Sequence, residues 1–133
     1  MTESKWPGAV DDADFDPYLE ARPESSRDLF WRFVALARAC GPVIFELQKG
    51  PIVLRGTRRI FAGVNVTADG LHGHINLARD LKDRRILKAE AFTKRLYFHC
   101  YPVTALDDLD EEFAHWLCEA RDVGDGLYLS SPS

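Results

Sequence analysis

Between Val43 and Val103 apolar residues recur at every second position, and this period of two limits the middle of the chain to β-strands. The clearest case is Arg59–Thr67, where Ile60, Ala62, Val64 and Val66 alternate with Phe61, Gly63 and Asn65. Asp69-Gly70 then marks a tight hairpin. The return strand, Leu71–Ala78, sets Leu71, Gly73, Ile75 and Leu77 against His72, His74 and Asn76. Shorter strands are expected at Val43–Leu47, Pro51–Arg55, Arg85–Phe92 and Leu96–Val103. Short links between strands of this kind give antiparallel neighbours.

On either side the period changes to that of a helix. Leu29, Phe30, Phe33, Val34, Leu36, Ala37 and Cys40 make one apolar stripe, with Ser25 or Ser26 as the expected cap and Gly41-Pro42 as the stop. Leu109, Phe113, Trp116, Leu117 and Ala120 make a second, over Asp108–Asp122, with Asp107 or Asp108 as the expected cap. The reading is an α+β fold: a two-layer sandwich with two helices on one face of a five- or six-stranded antiparallel meander sheet. At 133 residues the chain fits one domain, placed at residues 25–124. Residues 1–24, with Pro7, Gly8, Pro17, Pro23 and an Asp cluster, read as an extended or partly disordered arm. Residues 125–133 read as a short tail.

Charge is unevenly placed. Between Gln48 and Arg95 stand eleven Lys/Arg and four acids, against six and seventeen in the rest of the chain. Basic residues at strand ends (Lys82, Arg84, Arg85, Lys94, Arg95) suggest phosphate contacts. The pI near 5.5 and the lack of a nucleic-acid motif argue against that partner. Acidic helices complementing a basic sheet within the fold account for the pattern more simply. Cys40, Cys100 and Cys118 form no C-x-x-C pair and sit at apolar or strand positions, so they read as buried, reduced thiols. The first twenty residues lack the apolar run of a secretory signal, and no apolar run approaches the roughly 18 residues of a membrane span. The expected location is the cytoplasm, without membrane contact.

If the helices cover the aliphatic strand positions, alternation fixes the other face. That face is then expected to carry Val53, Arg55, Phe61, Gly63, Asn65, His72, His74, Asn76, Lys88, Glu90, Tyr97, His99 and Tyr101. Rings, amides and cations together suit a planar or anionic small ligand. The candidate ligand-binding residues are Lys49, Arg55, Phe61, Asn65, His72, His74, Arg95, Tyr97, His99 and Tyr101. His72 and His74, two apart on a strand, have Cβ atoms roughly 6–7 Å apart on one face. With His99 they could form a metal-dependent or acid–base site, and Glu90 with His99 is a second acid–base pair. No G-x-S-x-G, P-loop, G-x-G-x-x-G or H-E-x-x-H motif is present, and no cofactor is indicated. The leading expectation is a non-enzymatic binding or interaction module. The alternatives are an enzyme using His72, His74 and His99, and a homo-oligomerising domain pairing through the aromatic face or an edge strand.

One resemblance adds to this reading. The order of Gln48-Lys49-Gly50-Pro51-Ile52, Ile60-Phe61-Ala62-Gly63-Val64, Leu71–Leu77, Thr93-Lys94-Arg95-Leu96-Tyr97-Phe98-His99 and Leu106-Asp107-Asp108-Leu109-Asp110 resembles a family of small bacterial domains of unknown function. It covers residues 27–121, with Lys49, Phe61-Ala62, Arg95 and His99 on the family pattern. The resemblance implies the fold and no activity. The architecture is also similar to the frataxin-type sandwich, an analogy of layers alone.

Overall fold

The computed structural model describes residues 14–47 and 51–127. Three helices, α1 (Phe15–Leu19), α2 (Glu24–Ala39) and α3 (Glu111–Gly124), accompany six strands. These are β1 (Ile44–Leu47), β2 (Ile52–Arg55), β3 (Ile60–Thr67), β4 (Gly70–Leu77), β5 (Lys88–Ala91) and β6 (Tyr97–Val103). Every neighbouring pair in the sheet is antiparallel, and the order is β1-β2-β3-β4-β6-β5. The expected meander therefore holds for β1 to β4 and breaks once. The chain leaves β4 through a charged loop, forms β5 at the edge, and returns as β6 between β4 and β5. The loop from Ala78 to Leu87 is long enough to step over one strand, which a two-residue hairpin is not.

Both long helices lie on the same face, because Phe33 of α2 and Phe113 of α3 both touch the ring of Tyr101 (centroids 6.5 and 5.1 Å). Leu29, Phe30, Phe33, Val34 and Ala37 of α2 and Phe113, Trp116, Leu117 and Ala120 of α3 are buried against Ile52, Leu54, Ala62, Val64, Val66, Leu71, Ile75 and Leu77. Ala62, Val64, Val66, Leu71, Ile75 and Leu77 are aliphatic positions that alternation assigns to the core; Phe98 and Cys100, expected beside them, turn to the other face, and Leu87 is exposed. Removing water from that surface is the main stabilising term. Among the described residues no helix is long and apolar enough to cross a membrane.

The helix starts differ from expectation. α2 begins at Glu24, with Pro23 as the residue before it and Ser26 buried inside the first turn rather than capping it. Pro23 already has the extended backbone that precedes a helix, and its carbonyl accepts the Arg27 N–H at 3.0 Å. α3 is capped by Asp110, whose carboxylate accepts the Phe113 N–H at 2.9 Å. Asp108 instead closes the preceding 3-10 turn at Leu106–Asp108, accepting the Thr104 and Ala105 N–H groups.

Of the segment expected to be an extended or partly disordered arm, Phe15–Leu19 is helical and docked. Phe15 and Leu19 are buried, and Phe15 meets Phe30, Trp31 and Phe45 edge-on. The Tyr18 hydroxyl accepts the Val66 N–H, and Arg22 donates to the Val66 carbonyl. Residues 1–13, with Asp11 and Asp12 of the Asp cluster, and the tail beyond Leu127 lie outside the described residues. Cys40 and Cys118 are not reduced thiols but a disulfide joining the end of α2 to α3; Cys100 is free.

Charge complementation is internal. Arg85 is clamped by Asp83, Asp110 and Glu112 and lies over the Trp116 ring at 4.5 Å. This ties the β4–β5 loop to the start of α3. Arg79 pairs with Glu119, and Arg55 with Glu46. The basic sheet and acidic helices thus neutralise each other in part.

Candidate functional site

Cross-strand register decides which candidate residues share a face. Gly63 of β3 stands opposite His74 of β4, and His74 opposite Cys100 of β6. Asn65 stands opposite His72, and His72 opposite Pro102. Asn76 stands opposite Phe98, and Phe98 opposite Glu90 of β5. The face away from the helices, here the distal face, therefore carries Glu46, Val53, Arg55, Gly63, Asn65, His72, His74, Asn76, Lys88, Glu90, Phe98 and Cys100.

Tyr97, His99 and Tyr101 are on the opposite side, contrary to expectation. They stand opposite Leu77, Ile75 and Gly73 in the aliphatic row of β4 and turn toward the helices. Tyr101 is fully buried between Phe33 and Phe113, and its hydroxyl donates to the Gly63 carbonyl at 3.4 Å. Burial raises its phenol pKa well above the ordinary value. His99 is also fully buried. Its Nε2 accepts the Leu81 N–H at 2.9 Å, and Nδ1 lies 3.2 Å from the Tyr97 carbonyl. With Nε2 accepting, Nδ1 carries the proton, so the ring is neutral and fixed in one tautomer. Burial lowers its pKa. His99 is thus a structural tie between β6 and the β4–β5 loop.

Phe61 is misplaced for a different reason. The β2–β3 register slips between Leu54↔Ala62 and Arg55↔Ile60, so Phe61 is an extra residue at a bulge. It is buried in the core, packed on Gly124 at the end of α3, where an added Cβ would lie 2.6 Å from its ring.

What remains on the distal face is filled in part by its own side chains. Gly63 does not open the backbone to a ligand, because the imidazole of His74 fills that space: a Cβ on Gly63 would meet His74 Cε1 at 2.6 Å. His74 stacks on Phe98 with centroids 4.4 Å apart. Burial pulls the His74 pKa down to about 4, so this imidazole is neutral near pH 7. Val53, Glu46 and Asn76 are buried, Asn65 is half-buried, and His72 is exposed. Arg55 is engaged with Glu46 at 3.0 Å. Arg95 lies in the β5–β6 turn, where its N–H donates to Thr93 Oγ1. Lys49 lies outside the described residues.

His99 projects to the face opposite His72, His74 and Glu90, so neither the histidine trio nor the Glu90–His99 pair assembles. Among the described residues no group of three His, Cys, Asp or Glu is placed to hold a metal ion. Burial raises the Cys100 thiol pKa, which disfavours its nucleophilic form.

The surface that does stand out was not on the list of candidate residues. β5 is the last strand of the sheet, with Lys88, Glu90 and Ala91 exposed. Leu87 at its start and Phe92 at its end are 62% and 44% exposed. A cleft of about 340 Å³ lined by Leu81, Lys82, Asp83, Ile86, Leu87, Lys88 and Ala89 runs beside it. Sequence alone locates a strand here, but its place at the edge depends on the order of β5 and β6. No family model, no curated protein and no solved structure matches the chain.

Proposed function

We propose that this chain is a non-enzymatic interaction module that receives an extended segment alongside β5. The carrying observation is the edge strand itself, bracketed by the exposed Leu87 and Phe92. Phe92 donates its N–H to the Leu96 carbonyl, and Leu87 donates to the Cys100 carbonyl, so both ends of the segment bond inward to β6. Leu87 and Lys88 both fall on Cys100, as at a bulge, so the ladder is counted from the in-register Phe92: Glu90 and Lys88 face β6 with their backbone groups, and Ala89 and Ala91 turn theirs outward. A row of outward N–H and C=O groups beside apolar side chains is the template for strand addition. The half-buried, neutral His74, stacked on Phe98, supports this reading over an anion site on the distal face. The Cys40–Cys118 pairing favours an oxidising compartment over the cytoplasmic one that reduced thiols implied.

The test is selection of displayed seven-residue segments on the wild-type chain at low protein concentration, repeated on Ala89→Pro. Proline removes an outward N–H that the β5–β6 ladder does not use, so the fold is retained. Segments that bind the wild type and lose about tenfold or more on Ala89→Pro are expected. Failure to select any segment, or equal binding to both proteins, contradicts the reading.

A further inference from the structure

We infer that the segment received by β5 is β5 of a second copy of this chain, paired antiparallel about a two-fold axis through Ala89. The inference rests on the strand-addition reading above and names its partner.

The argument is one of register. If only Ala89 and Ala91 turn their backbone groups outward, a symmetric pairing must set Ala89 opposite Ala89, Ala89 opposite Ala91, or Ala91 opposite Ala91. The second arrangement brings Glu90 against Glu90 of the other copy and so places like charges directly opposite each other, which is unfavourable. The third runs past the end of β5 at Ala91 and sets Ala89 against Thr93 of the β5–β6 turn, where no strand continues. The first brings Lys88 opposite Glu90 and, by symmetry, Glu90 opposite Lys88. These are non-hydrogen-bonded pairs, the closer kind in an antiparallel ladder. Within one chain the two side chains already meet at 2.7 Å and are 62% and 56% exposed, so pairing gathers four alternating charges on one face of the joined sheet. The same register brings the large, exposed Leu87 level with the small Ala91 of the other copy. A lysine on an edge strand usually keeps other strands away; with a glutamate two residues on, it selects one partner and one register.

The experiment is sedimentation equilibrium of the full chain from about 10 µM to about 1 mM, the range in which a short-strand dimer of modest affinity would populate. The mass is expected to rise from 15.1 kDa toward twice that value. Lys88→Glu and Glu90→Lys each turn both charge pairs repulsive and weaken association by about tenfold. The double variant Lys88→Glu/Glu90→Lys restores it, as does an equimolar mixture of the two single variants. Pairing Glu90 against Glu90 would give no recovery in the double variant, since two lysines would then oppose each other. Circular dichroism of each variant checks the fold. A chain that stays monomeric throughout, or a double variant no better than the singles, overturns the inference. If selected segments still bind such a monomer, strand addition stands and only the identity of the partner falls. If the chain dimerises equally well as Ala89→Pro, both fall.

Discussion

β4 and β6 are neighbours of similar length, yet only β4 shows its faces in the sequence. In β4 aliphatic residues and glycine take one parity while His72, His74 and Asn76 take the other, and the structure keeps that division. In β6 the run Tyr97-Phe98-His99-Cys100-Tyr101-Pro102-Val103 puts a bulky ring on both parities, and the polar-looking set goes inward. Alternation is informative when one side cannot be buried cheaply. It says little when each residue is amphipathic and can satisfy its polar atom internally, as Tyr101 and His99 do.

The deciding feature is a pair of glycines on adjacent strands. Gly73 lies in the aliphatic row of β4 and leaves a hole in the core, which the ring of Tyr101 fills. Gly63 leaves a matching gap on the distal face, which His74 fills. The two gaps differ in what surrounds them. A Cβ on Gly73 would meet the Gly63 carbonyl at 2.2 Å and the Tyr101 hydroxyl at 2.8 Å, whereas one on Gly63 would meet only the half-buried His74 ring. Gly73→Ala is therefore expected to lose at least about 3 kcal/mol in urea unfolding, since the backbone cannot yield. Gly63→Ala should lose about 1 kcal/mol, as the imidazole swings aside. Equal losses would break the comparison.

A smaller contrast separates the histidines. His99→Ala leaves the buried Leu81 N–H without its acceptor and opens a gap under the helices, a loss of about 2–3 kcal/mol. His72→Ala, on an exposed side chain, should stay within about 0.5 kcal/mol. Comparable losses would mean that His99 is not the tie described.

The subtlest effect is in pH dependence. His74 is pulled down to about 4, and His99 also lies below its ordinary value, both by burial. Unfolded, each takes up its proton near about 6.5. Below that pH the unfolded chain binds more protons than the folded one, so stability is full above about 6.5 and declines as pH falls toward about 4. The drop in urea midpoint between pH 7 and pH 5 should be smaller in His74→Gln than in the wild type. An unchanged drop would place His74 in water.

Much of the fold was legible for the reason β4 was. The apolar stripes of α2 and α3 and the rows of β3 and β4 have periods that one face of one element explains. The cap of α3 slipped because Asp107, Asp108 and Asp110 are chemically equivalent, and only geometry chooses among them. The site was less legible. Phe61 moved because of a bulge that no residue type announces, and Tyr97, His99 and Tyr101 moved because an aromatic can serve either face. Gly73 was the available clue: a glycine inside an aliphatic row implies a large neighbour. The ten-residue loop after β4 was likewise the available sign that β5 stands at the edge, where the proposed interface lies.

The division of rings between the two faces is tested most directly by a NOESY spectrum of the native chain. Cross-peaks are expected from the Tyr101 ring to Phe33 and Phe113, and from the His74 ring to Phe98, with none joining Tyr101 to His74. Contacts from Tyr101 to His72 or His74, with none to either helix, would contradict the account.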